Sequence, residues 1–159
     1  MLAAVIAAAY IVLTYISATL GLAYGGIQFR VSEALNILAA FTPAAIFGLT
    51  IGCFISNIGS PFPLDMVFGT AATFLSTLTI SLIAKRCSKS TPYISVLPPS
   101  VFNAILVGLQ ITFFTEAAAS LTAFTLSALS VFLGECSVCA IMGIPLYFML
   151  NTHKNRLFK

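Results

Sequence analysis

The residues Gly25-Gly26-Ile27-Gln28-Phe29-Arg30-Val31-Ser32-Glu33-Ala34-Leu35 hold an unusual share of the polar side chains in a strongly apolar chain. The whole sequence of 159 residues contains only seven Lys or Arg and four Asp or Glu. Two of these charged residues, Arg30 and Glu33, lie three positions apart in this stretch and directly follow the amide of Gln28. The rest of the chain therefore has to form an apolar scaffold around a small polar centre.

Local rules account for part of this stretch. Gly25-Gly26 reaches backbone angles that other residues avoid, which predicts a tight reversal after the first apolar run. Ser32 is then predicted to cap a following helix, with Glu33 in the first turn, where negative charge is favoured. Capping leaves Gln28 and Arg30 unexplained, so both are candidates for ligand contact.

The composition indicates a polytopic membrane protein. Hydrophobic residues make up 60% of the chain and charged residues 7%, with a mean hydropathy of +1.08, whereas soluble domains have roughly 45–50% and 25%. A membrane-spanning helix needs about 20 residues, so the chain has room for five or six spans and no soluble domain. The basic clusters Lys85-Arg86-Lys89 and Lys154-Arg156-Lys159 are too sparse for a nucleic-acid surface and are typical of topology signals.

The fold is predicted to be an all-α integral membrane protein, a six-helix bundle formed by one transmembrane domain over 1–159. Residues 31–60 would form a helix about 45 Å long, which exceeds the membrane core, so we expect a break at Thr42-Pro43. Asp65 is predicted to cap the fourth helix, and the residues from 119 to about 126 to lie along the surface. The approximate helices are 2–22, 32–42, 43–59, 65–85, 99–115 and 127–149.

Polar side chains inside the predicted spans form a second group of candidates. Asn103 and Gln110 lie seven residues apart on one helical face, and Glu135 lies near the middle of the last span. An intramembrane carboxylate is costly unless it is paired, hydrated or protonated, so Glu135 is a functional candidate. The alternative is a structural role in which it accepts hydrogen bonds from neighbouring hydroxyls.

Other motifs point away from metal and nucleotide chemistry. Cys136 and Cys139 form a CxxC pair with no second pair, and four cysteines in three segments indicate free thiols rather than a disulfide framework or a metal site. Ser88-Lys89-Ser90 lacks the upstream glycines of a phosphate-binding loop, so the chain is not expected to hydrolyse ATP itself. We expect no metal and no cofactor.

Small residues on the first helix suggest a contact surface. Ala3, Ala4, Ala7 and Ala8 form small-xxx-small pairs that let another helix approach closely. The sequence leaves open whether that helix belongs to the same bundle or to a partner subunit.

The basic residues also bear on orientation in the cell membrane. Six spans with both termini cytoplasmic place both basic clusters inside, and Arg30, Asp65 and Glu116 outside. A five-span arrangement with the N-terminus outside satisfies the charges equally well. Charge alone therefore does not choose between them.

Several motifs together resemble the QueT family, over nearly the whole chain. The matching residues are Gly-Ile-Gln-Phe-Arg-Val-Ser-Glu-Ala-Leu (26–35), Phe-Thr-Pro-Ala-Ala-Ile (41–46), Ile-Gly-Cys (51–53), Leu-Asp-Met-Val-Phe-Gly (64–69), Leu-Pro-Pro (97–99), Asn103 and Gly-Glu (134–135). QueT proteins are substrate-binding S components of energy-coupling factor (ECF) transporters, associated with queuosine precursors. The resemblance implies six helices, an outward-side pocket, a transmembrane T subunit and two cytoplasmic ATPase subunits, with Ala3/Ala7 or Ala4/Ala8 as the docking pair.

The candidate side chains suit the 7-deazaguanine base that the resemblance implies as the small-molecule substrate. Glu135 or Glu33 would accept the two N–H groups of one ring edge, while Arg30, Gln28 or Asn103 would donate to the carbonyl. A 7-aminomethyl form would carry a cation, for which Asp65 is the spare carboxylate.

Three other functions compete with this one. The chain could be an S component for a different vitamin-like solute, or a channel. It could also be an intramembrane enzyme that uses Glu135 with Cys136 or Cys139, but no histidine in the bundle would serve as the base.

Overall fold

The computed structural model describes residues 1–23, 29–87, 89–114 and 120–157, with side chains described up to residue 153. Every regular element within these ranges is helical. The elements in chain order are α1 (Leu2–Thr19), a 3₁₀ helix (Val31–Ala40), α2 (Ala44–Asn57), α3 (Asp65–Arg86), α4 (Thr91–Ile94), α5 (Leu97–Phe114), α6 (Leu121–Val138), a π-helical turn (Cys139–Gly143) and α7 (Ile144–Leu157).

The 3₁₀ helix begins at one end of the bundle and ends at the other. At the first end, Arg30 contacts Asp65 at the start of α3. At the other end, residues 39–43 line the same crevice as Lys85, in the last turn of α3. We call the first the Asp65 end and the second the Lys85 end. Successive passes of the chain therefore alternate in direction between the two ends.

Four helical stretches are long and apolar enough to cross a membrane. They are Leu2–Thr19, Asp65–Arg86, Thr91–Phe114 and Leu121–His153. The other two passes, Val31–Ala40 and Ala44–Asn57, are shorter apolar helices. Many large apolar side chains on these helices are exposed, Phe47 and Leu126 among them, as expected of surfaces that face lipid.

The short helix expected over 32–42 is a 3₁₀ helix, Val31–Ala40. Side chains three residues apart eclipse one another in a 3₁₀ helix. Glu33 and Asn36 use this alignment, because the Asn36 amide donates to the Glu33 carboxylate at 2.6 Å. Ten residues also cover about 20 Å in this form, compared with about 15 Å as an α-helix.

Neither predicted side-chain cap is present. No side chain caps the 3₁₀ helix, and the hydroxyl of Ser32 instead accepts a hydrogen bond from Thr14 Oγ1 at 2.8 Å. Asp65 is the first residue of α3 and likewise makes no capping bond. Both side chains are buried, so tertiary partners replace the local backbone N–H groups that a cap would satisfy.

The predicted break at Thr42-Pro43 is confirmed, since the 3₁₀ helix ends at Ala40 and α2 begins at Ala44. The predicted surface segment before the last span was wrong. Instead, Ser120 caps α6 through a bond from the Ala123 N–H at 3.0 Å. The helical path then continues from Leu121 to Leu157 through the π-helical turn.

The two alanine pairs of α1 have different surroundings. A Cβ added at Gly48 would lie 2.6 Å from the Ala3 carbonyl oxygen, and one at Gly52 would lie 2.9 Å from that of Ala7. This face of α1 therefore packs closely against α2, where only glycine leaves enough room. Ala4 and Ala8, by contrast, are exposed.

The Lys85 end is predicted to be cytoplasmic, and Cys87 provides a test. Cys87 is exposed, whereas Cys53 and Cys139 are buried and Cys136 is partly buried. With these three cysteines replaced, we expect Cys87 to react with a membrane-impermeant maleimide in inside-out vesicles but not in intact cells. A His153→Cys variant in the same background should show the same sidedness. Labelling of Cys87 in intact cells would contradict the predicted orientation.

Candidate functional site

The carboxylate of Asp65 collects hydrogen bonds from three separate parts of the chain. Its Oδ1 accepts from Gln110 Nε2 at 2.5 Å, and its Oδ2 accepts from Ser60 Oγ at 2.5 Å and from Arg30 Nη2 at 3.3 Å. Its backbone carbonyl accepts from Asn57 Nδ2 at 2.9 Å. Asp65 thus connects α3 with α5, with the end of α2 and with the residue that precedes the 3₁₀ helix.

Arg30 is buried along with its partner, with relative exposures of 2% for Arg30 and 1% for Asp65. Its Nε also donates to the carbonyl of Ala23 at 3.0 Å. A buried guanidinium is tolerated only when a carboxylate and further acceptors compensate for its lost hydration. Arg30 therefore has a structural task at the Asp65 end of the bundle.

Glu33 is held by donors from two elements. Tyr10 of α1 donates its hydroxyl to Oε1, and Asn36 donates to Oε2. Both carboxylate oxygens of Glu33 already have a protein partner.

Glu135 of α6 is buried to the same degree as Glu33, at 1% exposure, yet its Oε2 has no hydrogen-bond partner in the described structure. Four residues further on, the thiol of Cys139 lies 3.8 Å from the backbone carbonyl of Glu33. Glu135 also interacts electrostatically with Glu33 and Arg30. The two glutamates therefore belong to one buried polar centre.

Several other buried polar atoms are also unpartnered within the described residues. They include the amide donor Asn103 Nδ2, the hydroxyls of Thr70 and Ser95, and the acceptors Asn36 Oδ1, Asn57 Oδ1 and Gln110 Oε1. Buried polar atoms in proteins are nearly always hydrogen-bonded, so a group of open donors and acceptors indicates a site for a polar molecule. These atoms and Glu135 Oε2 are donors and acceptors whose hydrogen bonds the described residues do not supply.

The predicted site residues fall into three groups. Arg30, Asp65 and Glu33 are buried and have protein partners. Asn103 and Glu135 are buried and have open polar atoms. Gln28 lies outside the described residues, as does Glu116.

Sequence reasoning missed Asn36, Asn57 and Ser60. One signal was available, because Arg30, Glu33 and Asn36 follow one another at a spacing of three, the repeat of a 3₁₀ helix. No comparable spacing marks Asn57 or Ser60, whose roles depend on where α3 begins in space.

The Asp65 cluster should be a main source of stability. In Asp65→Ala, the buried Arg30 loses its carboxylate and Gln110 loses an acceptor, so we expect the free energy of unfolding to fall by about 3–5 kcal/mol. Ser60→Ala removes one neutral donor from the same carboxylate and should cost only about 1 kcal/mol. Denaturant unfolding in detergent would measure both variants. Equal stability of Asp65→Ala and Ser60→Ala would show that the ion pair does not hold this end together.

Comparison with known proteins places these features in a family. Residues 1–152 match the model of the QueT transporter family. The queuosine precursor transporter QueT of Lactococcus lactis subsp. cremoris (strain MG1363) is 43% identical over 72 residues, a region that spans 45% of this chain and 43% of that relative. No solved structure matches the chain. Because the family match covers nearly the whole chain, this multi-pass membrane protein belongs to the QueT transporter family.

Proposed function

We propose that the protein captures a queuosine precursor, a 7-deazaguanine base, at the Asp65 end and delivers it inward with ECF partner subunits. Membership in a transporter family argues against the alternative that the protein is an intramembrane enzyme. The name of the Lactococcus relative supplies the substrate class. In this proposal the Asp65 end faces outward and both termini are cytoplasmic.

The observation that carries the proposal is the set of open polar atoms in the bundle. Glu135 Oε2 is an acceptor and Asn103 Nδ2 a donor, and both residues are at most 3% exposed. A deazaguanine has two N–H donors on one edge and a carbonyl acceptor, so it offers both types of missing partner. A molecule without this combination would leave some of these atoms unpaired.

The geometry also separates the roles of the acidic residues. Glu33 already receives bonds from Tyr10 and Asn36, and Asp65 already has Arg30, Ser60 and Gln110. Among the described residues, Glu135 is the carboxylate with an open oxygen. We propose that Glu135 accepts hydrogen bonds from the N–H edge of the base. Glu33 instead holds the surrounding side chains of Tyr10 and Asn36 in place. Asp65 is already compensated by Arg30, which makes it a poor partner for an additional cation.

The partner subunits follow from the resemblance described above, and the structure offers a matching surface. Ala4 and Ala8 are exposed on α1, while the Ala3 and Ala7 carbonyls face Gly48 and Gly52 of the same chain. We therefore propose Ala4 and Ala8 for the docking of a T subunit, which would carry the two ATPases. Ala3 and Ala7 belong to internal packing.

Replacement of the Glu135 carboxyl group should weaken ligand binding. In Glu135→Gln, one acceptor becomes an N–H donor that opposes the N–H edge of the base, so we expect a loss of about 1.5–3 kcal/mol, roughly ten- to a hundredfold in Kd. Calorimetric titration of the purified protein with guanine, 7-cyano-7-deazaguanine and 7-aminomethyl-7-deazaguanine would measure it. Ser137→Ala is a matched control, because its hydroxyl bonds to the Leu133 carbonyl of its own helix.

The same titrations distinguish the competing functions. Binding of none of the three bases by the parent protein would leave an S component for another vitamin-like solute, or a channel. Tight binding by the parent that is unchanged in Glu135→Gln would show that the recognition of the N–H edge is wrong.

The docking surface can be tested separately from ligand capture. Replacing both Ala4 and Ala8 with Leu should leave the fold and the ligand affinity intact, because both positions are exposed. We expect co-purification with the T subunit and ATP-driven uptake to be lost, since a bulky residue prevents close helix approach.

Ala7→Leu is the matched control for this double variant. Its backbone lies against Gly52, so overpacking should lower the thermal stability of the isolated subunit, at a cost of about 1–3 kcal/mol. Normal uptake by the Ala4/Ala8 double variant would show that this surface docks nothing.

A further inference from the structure

A small cavity lies between the 3₁₀ helix, α4 and the π-helical turn. Glu33 and Asn36 line it from the 3₁₀ helix, Pro92 and Ser95 from α4 and the residue after it, and Cys139 from the turn. The cavity leaves about 10 Å³ for the centre of a water molecule, which is roughly the space that one water requires. It is therefore large enough for one small polar group.

Two of the lining side chains have polar atoms without a partner. Asn36 Oδ1 and Ser95 Oγ are buried and make no hydrogen bond within the described structure, and their residues are 1% and 3% exposed. The orientation of the Asn36 amide is fixed, because its nitrogen donates to Glu33 Oε2 at 2.6 Å. Asn36 therefore presents an acceptor, and Ser95 a hydroxyl that both accepts and donates.

We infer that this cavity is an inner polar subsite that takes one small group with N–H or O–H donors. Two sources have this chemistry. One is a water molecule held between Asn36 and Ser95, and the other is the primary amine of a bound ligand. The amine source rests on the proposed function, whereas the water source does not.

The surroundings favour a donor group over other occupants. The Glu33 carboxylate is part of the lining, so a positive or donor group meets an acidic neighbour. The remaining lining includes Pro92, Ile37 and Val96, which offer no side-chain hydrogen bond. A carbonyl or a nitrile could accept from the Ser95 hydroxyl but would leave Asn36 Oδ1 unpaired, and an anion would in addition meet the Glu33 carboxylate.

The position of the subsite connects it with the proposed ligand site. Asn36 bonds to Glu33, and Glu33 belongs to the same polar centre as Glu135. Cys139 lies four residues after Glu135, and its thiol touches the backbone of Glu33. A ligand bound at Glu135 therefore lies near the wall that contains the subsite.

The test combines two substitutions of Ser95 with a control. Ser95→Val fills the cavity with a methyl group and removes the hydroxyl, and Ser95→Ala only removes the hydroxyl. Ser100→Ala is the control, because Ser100 is also buried but bonds to the Val96 carbonyl at 2.8 Å. Each protein is titrated with 7-deazaguanine and its 7-cyano and 7-aminomethyl derivatives, and its thermal midpoint is measured without ligand.

If the ligand's amine occupies the subsite, Ser95→Val should reduce the affinity for the amine-bearing base selectively. Ser95→Val should weaken the binding of the 7-aminomethyl base at least tenfold and change the other two affinities less than about twofold. A trapped water predicts a general effect, in which Ser95→Val lowers the thermal midpoint by a few degrees relative to Ser100→Ala. Either result supports the subsite and identifies its occupant.

If the cavity is a dry void, Ser95→Val should raise the thermal midpoint rather than lower it. Filling a dry cavity with a methyl group stabilises a protein, so a raised or unchanged midpoint with unchanged affinities would overturn the inference. If the parent binds none of the three bases, the proposed function fails, but the midpoints still decide whether a water occupies the cavity. If Ser95→Val does not fold, Ser95→Ala is titrated instead: a loss of affinity for the 7-aminomethyl base alone supports an amine in the subsite, and unchanged affinities for all three bases contradict it.

Discussion

The Asp65 carboxylate sets the constraint on which the rest of the bundle depends. A buried anion in an apolar bundle has no water to solvate it, so the chain must bring donors to it. Arg30, Ser60 and Gln110 come from three different parts of the chain to meet this requirement. Their convergence fixes the Asp65 end of α3 relative to α5 and to the start of the 3₁₀ helix, and so defines the polar end of the bundle.

The 3₁₀ helix is a second consequence of burying polar groups. Its threefold repeat aligns Glu33 with Asn36, and the resulting bond holds the carboxylate away from lipid. The π-helical turn packs on the same segment, since a Cβ at Gly143 would lie 3.6 Å from the Ala34 carbonyl. Long 3₁₀ helices and π turns are uncommon, and they often mark functional positions. Here the two lie against each other beside Glu33.

The sequence predicted the helical class, the break at Pro43 and the inward position of Asn103, Gln110 and Glu135. These features follow from hydropathy, from proline geometry and from the cost of charge in an apolar chain. The sequence placed Arg30, Glu33 and Asp65 at the outer face of the membrane and did not predict that they would be buried. The sequence did not predict which side chains would form hydrogen bonds with these buried polar residues. Ser32 and Asp65 have the usual signature of caps, but local spacing contains no information about Thr14 or Gln110, which approach only when distant helices pack.

Under the proposed function, the three buried carboxylates of the described residues divide stability from binding. Asp65 and Glu33 have their hydrogen bonds supplied within the chain, so their burial is compensated whether or not a ligand is present. Glu135 keeps an open oxygen, and its desolvation is already complete before the ligand arrives. A ligand that supplies the missing N–H groups then gains hydrogen bonds without stripping water from the carboxylate. Under the proposed function, the incomplete bonding of Glu135 lowers the stability of the empty protein and raises its affinity for a ligand that supplies the missing N–H groups.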